Sequence, residues 1–372
     1  MVGRYNDICQ VQAQNITPYD GFDGLGEEVM TRFLAKYISK VITKYPVKKF
    51  TVKIDNCKVE LESNQQELII QICGRSVKEK VGKLLSDLEC LIFFYLGSFP
   101  LMEFLYINGD EIDISKRAAK YETSDNFLKD NLVICDINEI TVNEQKIKEL
   151  RKISLYPIYS FQCLLSKAYD HVITNHKMTL LLHVIDGMYE IDKHQLKAVK
   201  QEIQNKYPES RKGAVGDYLA AIYSICEKYF FYYHRKYACG ILPLLKVTRY
   251  KFMARLSETR NWYSHFLNES KKPLRIVKGR DFIIYFELVC YMIRLSVIDR
   301  IGAVIDESRV QEFYYTVHDW ILAIMYDMDE PLKSNTYRID KQWKEFIREI
   351  ERLQKEALNN EHVKDVGDYR FI

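Results

Sequence analysis

Apolar positions change their period several times along the first part of the chain. Residues 26–43 place Val29, Phe33, Leu34, Tyr37, Ile38 and Val41 at the spacing of one helix face, which predicts a helix. Residues 50–61 alternate through Val52, Ile54, Val59 and Leu61, as a strand with one buried face does. Residues 67–72 form a second short β-like run, and residues 77–96 return to helical spacing through Val81, Leu84, Leu85, Leu88 and Leu91. Residues 104–107 run into Asn108-Gly109, a strand entering a tight turn, with residues 111–114 as the return. Residues 132–137 are one more strand candidate.

Past Ile153 the pattern becomes helical almost throughout. Candidate helices are residues 158–171, 178–204, 215–237, 249–266, 282–301 and 310–328, punctuated by Pro208, Gly213, Gly240, Pro243, Pro273 and Gly279. Residues 340–358 predict a further amphipathic helix with Ile347, Ile350, Leu353 and Leu358 on its apolar edge. The expected fold class is therefore α+β. A small mixed α/β domain occupies residues 1–153, an all-α bundle residues 154–330, and a helical tail residues 331–372.

Composition narrows the class. At 372 residues the chain suits more than one core, and its 15 Gly and 8 Pro leave little room for long flexible linkers. The nine Cys are odd in number and contain no C-x-x-C pair, so they read as small buried hydrophobes in a reducing, cytoplasmic setting. The first ten residues lack the apolar core of a signal peptide. The greasiest stretches are interrupted by Glu89, Gly97, Pro100 and Glu103, and by Glu287 and Arg294, so no membrane span is expected. No H-E-x-x-H, metal-type Cys/His spacing or phosphate-binding Gly-rich loop occurs, so neither metal nor other cofactor is expected.

Charge changes the picture locally. The chain carries a net charge of +3, yet residues 241–280 alone hold ten basic residues against two acidic ones, a local +8. Such a stretch attracts a polyanion by releasing its counterions. Within it, Lys271, Lys272, Arg275, Lys278 and Arg280 form a loop with no acid, which suits contact with an RNA backbone. The aromatic run Tyr229–Tyr233 could stack on bases, but its side chains point to all sides of a helix, which favours a buried or dimer-facing position.

The segment KFMARLSETRNWYSHF, residues 251–266, carries the chemistry. On a helix with Arg260 at zero, Ser264 falls at ~40°, Asn261 at ~100° and His265 at ~140°. Trp262, Phe266 and Tyr263 occupy the opposite arc, which Phe252, Leu256 and Thr259 extend backwards. One face packs while the other gathers an Arg-Asn-Ser-His cluster. Those residue types suit RNA cleavage by the ribose 2′-OH. An imidazole exchanges protons near neutrality, and a guanidinium holds phosphate oxygens through a planar fork. Positioned donors at the developing charge contribute about 10²–10³-fold.

The run RNWYSH resembles the R-N-x-x-x-H form of the R-x4–6-H motif of the HEPN superfamily. The helical segments before it, the basic linker after it and the apolar segment closing on Asp299-Arg300-Ile301-Gly302 are similar to the ApeA-like HEPN group of bacterial anti-phage defence. Members of that group also carry an α/β N-terminal domain. The likeness covers residues 156–304. It implies a HEPN-type helical bundle, a homodimer with the motif helices facing, and metal-independent endoribonuclease activity. Arg260 and His265 of both subunits would then be catalytic, with Asn261 as polar partner. An acidic residue on an earlier helix accompanies the motif in related families, and Asp186 and Glu190 both stand open for that place. The N-terminal domain would meet a trigger or an antitoxin. The alternatives are a HEPN module that binds RNA or a nucleotide without cutting it, and the toxin of a toxin–antitoxin pair.

Overall fold

The computed structural model describes residues 29–38, 49–64, 67–76, 78–97, 101–114, 134, 142–153, 155–165, 174–189, 193–208, 210, 216–264, 276–277 and 280–325. An antiparallel six-stranded sheet comes first and helices follow, so the fold is α+β. The chain divides into two compact units, Met1–Leu180 with Arg294–Glu307, and Leu181–Ile293 with Ser308–Ile372.

In the first unit the strands are β1 (Val29–Ile38), β2 (Phe50–Ile54), β3 (Cys57–Asn64), β4 (Glu67–Ser76), β5 (Leu101–Ile107) and β6 (Asp110–Glu111), in the order β2-β3-β4-β1-β5-β6. Helix α1 (Lys78–Leu96) packs on β1 and β4. It buries Val81, Leu84, Leu85, Leu88 and Leu91, and the Tyr37 hydroxyl of β1 donates to Glu89 Oε1 at 2.6 Å. Helices α2 (Glu144–Lys152) and α3 (Leu155–Leu164) follow. The Asn143 side chain caps α2 by accepting from the Lys146 N–H at 2.8 Å. Sequence periodicity had not marked α2.

Three sequence readings need correction. Residues 29–38 form the strand β1 rather than a helix. Phe33 and Tyr37 stand four apart, a spacing that fits a strand face as well as a helix face, and the strand buries Thr31, Phe33, Ala35 and Tyr37. Its second face also carries the apolar Leu34 and Ile38, both half-buried, which blurs the alternation. Residues 50–61 are not one strand but the hairpin β2-β3, reversed at Asp55 and Asn56, both with positive φ (48° and 64°). The helix expected over 178–204 is two, α4 (Thr174–Met188) and α5 (Lys193–Lys206). Ile185, Leu196 and Ile203 stand eleven and seven residues apart, in phase with one continuous helix, so periodicity carried across the break.

The Asn108-Gly109 turn joins β5 to β6 as its sequence requires, with φ of 56° and 99°. Of the expected strand at 132–137 only Ile134 is described, and it is buried. The tail helix expected at 340–358 lies outside the described residues.

The second unit holds α6 (Asp217–Cys226), a π-helical turn at Glu227–Phe231, α7 (Tyr232–Tyr237), the short α8 (Ile241–Leu244), α9 (Arg249–Ser264), part of α10 (Arg280–Arg300), and α11 (Glu307–Met325) from Ser308 onward. Helix α6 packs against both α5 and α9. Tyr229, Phe230, Phe231 and Tyr233 of the aromatic run are buried while Tyr232 is exposed, and the Phe230 ring sits 4.8 Å from that of Phe252 of α9 and 5.8 Å from that of Tyr314 of α11. Among the described residues no helix is long and apolar enough to cross a membrane. The described cysteines Cys57, Cys73, Cys90, Cys226, Cys239 and Cys290 are free thiols, all buried except the half-buried Cys73.

Candidate functional site: a polar patch between α4 and α9

Helix α9 begins where the Thr248 hydroxyl accepts from the Lys251 N–H at 3.2 Å. Its packing face is the one the sequence indicates. Phe252, Met253, Leu256, Thr259 and Trp262 are buried, and Phe252 stacks on Tyr285 of α10 at 4.5 Å. Thr259 also fixes the returning chain, because its hydroxyl accepts from the Val277 N–H at 2.8 Å. With one side of α9 clamped in this way, Arg260, Asn261 and Ser264 are presented on the other.

What the polar side meets is α4. The Arg260 guanidinium donates from Nη2 to Asp186 Oδ2 at 3.1 Å and from Nη1 to Asn261 Oδ1 at 3.3 Å. It lies over the ring of Tyr218 of α6, 5.0 Å from the centroid, and the Tyr218 hydroxyl donates to the Leu182 carbonyl of α4 at 3.0 Å. One turn further along, His183 Nε2 and Ser264 Oγ are 3.1 Å apart. Two polar contacts thus cross between the helices. Since 183 meets 264 and 186 meets 260, the helices run antiparallel here.

The setting is half wet. The Arg260 side chain is 20% exposed and that of Asp186 43%, while Asn261 and His183 are exposed. The Arg260 Nε is buried and meets no acceptor among the described residues. Burial, opposed weakly by Arg260 and reinforced by Asp186, holds the Tyr218 phenol well above its ordinary range, so it stays a neutral ring beneath the guanidinium.

Asp186 is the earlier-helix acid that meets Arg260; Glu190 lies outside the described residues. His265 also lies outside them, as do Lys271, Lys272, Arg275 and Lys278, and Arg280 is described only as the first residue of α10. The +8 stretch is not simply a solvated surface. Arg249 is buried with its guanidinium 5.6 Å from the Phe231 ring, and Arg255 pairs with Asp281 at 3.1 Å. Sequence reasoning passed over His183 and Tyr218. The usable signal was the i, i+3 spacing of His183 and Asp186, which puts both on one face of α4.

Among the described residues no group of three or more His, Cys, Asp or Glu side chains is placed to hold a metal ion. No protein-family model, no curated protein and no solved structure matches this chain.

Proposed function

We propose that this chain is a HEPN-type endoribonuclease that cleaves RNA by attack of the ribose 2′-OH, acting in the cytoplasm as an effector of anti-phage defence or growth arrest. The observation that carries this reading is the Arg260–Asp186 pair between α9 and α4, with Asn261 on the same guanidinium. A guanidinium held by a carboxylate on one N–H, and by a neutral amide on another, keeps further donors for a phosphate. In this reading His265 exchanges the proton, and Lys271, Lys272, Arg275, Lys278 and Arg280 hold the RNA backbone. A second copy of the chain supplies groups on the far side of the scissile phosphate, as in-line displacement requires.

The purified protein is expected to cut RNA in the presence of EDTA and to leave 2′,3′-cyclic phosphate ends. Arg260→Ala and His265→Ala should each lower product formation by about 10²–10³-fold. Cutting that survives both substitutions undiminished ends the proposal.

A second reading, an RNA-binding module without cleavage, draws on the internal engagement of Arg249, Arg255 and Arg260, which leaves fewer free cations than the sequence suggests. Tight, salt-dependent RNA binding with no products over hours would favour it.

A further inference from the structure

We propose that His183 is the general acid of the RNA-cleaving site, delivering the proton to the 5′ leaving oxygen. The inference rests on the nuclease proposal and adds a residue that the motif does not contain.

The argument is geometric. His183 and Asp186 lie one turn apart on α4, and Ser264 and Arg260 lie one turn apart on α9. Two contacts of 3.1 Å, His183–Ser264 and Asp186–Arg260, close these four residues into one ring. An imidazole is thereby fixed beside the guanidinium that would clamp the phosphate, and it is exposed, so a ligand can reach it. Ser264 orients the ring through Nε2.

The chemistry balances with two proton-transfer groups. A base takes the 2′-OH proton, the O2′–P bond forms, and the P–O5′ bond breaks. The departing O5′ takes a proton from His183, leaving a 2′,3′-cyclic phosphate and a 5′-hydroxyl. Helix α4 offers His183 for the second proton.

The test uses two substrates and the full-length protein. One is an RNA with the natural 5′-oxygen at the cut; the other carries a bridging 5′-sulfur there, which leaves without protonation. His183→Ala and His183→Gln should each slow the natural substrate by about 10²–10⁴-fold. Both should cut the 5′-thio substrate within a few-fold of wild type, with unchanged thermal melting. A defect of equal size on both substrates, or full activity of His183→Gln, whose amide retains the bond to Ser264, overturns the assignment. If wild type cuts, Arg260→Ala does not, and His183→Ala cuts normally, this inference falls while the nuclease reading stands. If wild type leaves both substrates intact, both fall.

Discussion

Two arginines, one in each compact unit, show how the same side chain can serve opposite ends. Arg151 of α2 is gripped by two carboxylates, Asp55 of the β2-β3 turn and Asp87 of α1, each at 2.7 Å. Asp87 is only 2% exposed; burial pushes its carboxyl up, and the Arg151 guanidinium pulls it back. The fork of Arg151 is filled from both sides, and it ties hairpin, helix and helix together. Arg260 meets one carboxylate at the longer distance of 3.1 Å and one neutral amide, and its Nε finds no acceptor among the described residues. The first guanidinium is committed to holding the fold, whereas the second retains donors for a ligand. The two arginines differ in the hydrogen-bonding capacity their partners leave unused, not in exposure, since the side chains are similarly buried (25% and 20% exposed).

The comparison breaks first at Arg260→Ala. RNA cleavage should fall by about 10²–10³-fold, with a small change in melting temperature, read by product formation on a labelled RNA. A large loss of stability with unchanged turnover per folded molecule would reverse the roles of the two arginines. Next comes Arg151→Ala, which leaves Asp87 buried without its partner and should lower the unfolding free energy by about 3 kcal/mol in chemical denaturation. Adding Asp87→Asn should recover much of that loss.

A third prediction concerns buried groups of the helical unit. Burial pushes Glu287 up to about 8 from an ordinary 4.5, and it pushes His234, helped by Arg249, down to about 3 from 6.5. Neutral Glu287 contributes stability that is complete below pH 4.5 and is lost as pH rises through 8. Neutral His234 contributes stability that is complete above pH 6.5 and is lost as pH falls through 3. Each alone gives a slope of about 1.4 kcal/mol per pH unit. The slopes oppose between pH 4.5 and 6.5, and Glu287 acts alone from 6.5 to 8. Glu287→Gln should flatten the decline in that upper window, followed by melting temperature against pH. The smallest effect is expected at Asp186→Asn. The pair is partly exposed, so stability should change by less than about 1 kcal/mol. Cleavage should drop about tenfold as Arg260 loses its anchor, which a single-turnover assay would resolve.

Much of the architecture was legible because local rules and global packing agreed. Residues 77–96 read as a helix and Lys78–Leu96 is one, since Val81, Leu84, Leu85, Leu88 and Leu91 recur at helical spacing and are all buried. Asn108-Gly109 read as a turn because only such residues accept its positive φ values cheaply. The strand β1 was misread because a four-residue spacing satisfies two periods, and only pairing with β4 and β5 chooses between them. The packing face of α9 was legible for the same reason as that of α1, and with it the placement of Arg260, Asn261 and Ser264 on the opposite side.

The amino-acid order alone determined the helical character of the second half, the tight turn before β6 and the two-sided nature of α9, because each follows from the spacing of residues near one another in the chain. Only tertiary structure decided which acid meets Arg260, that Tyr218 lies beneath it, and that His183 joins Ser264. These partners are separated by 42 to 81 residues, and no local periodicity encodes the rotation and register at which two distant helices meet.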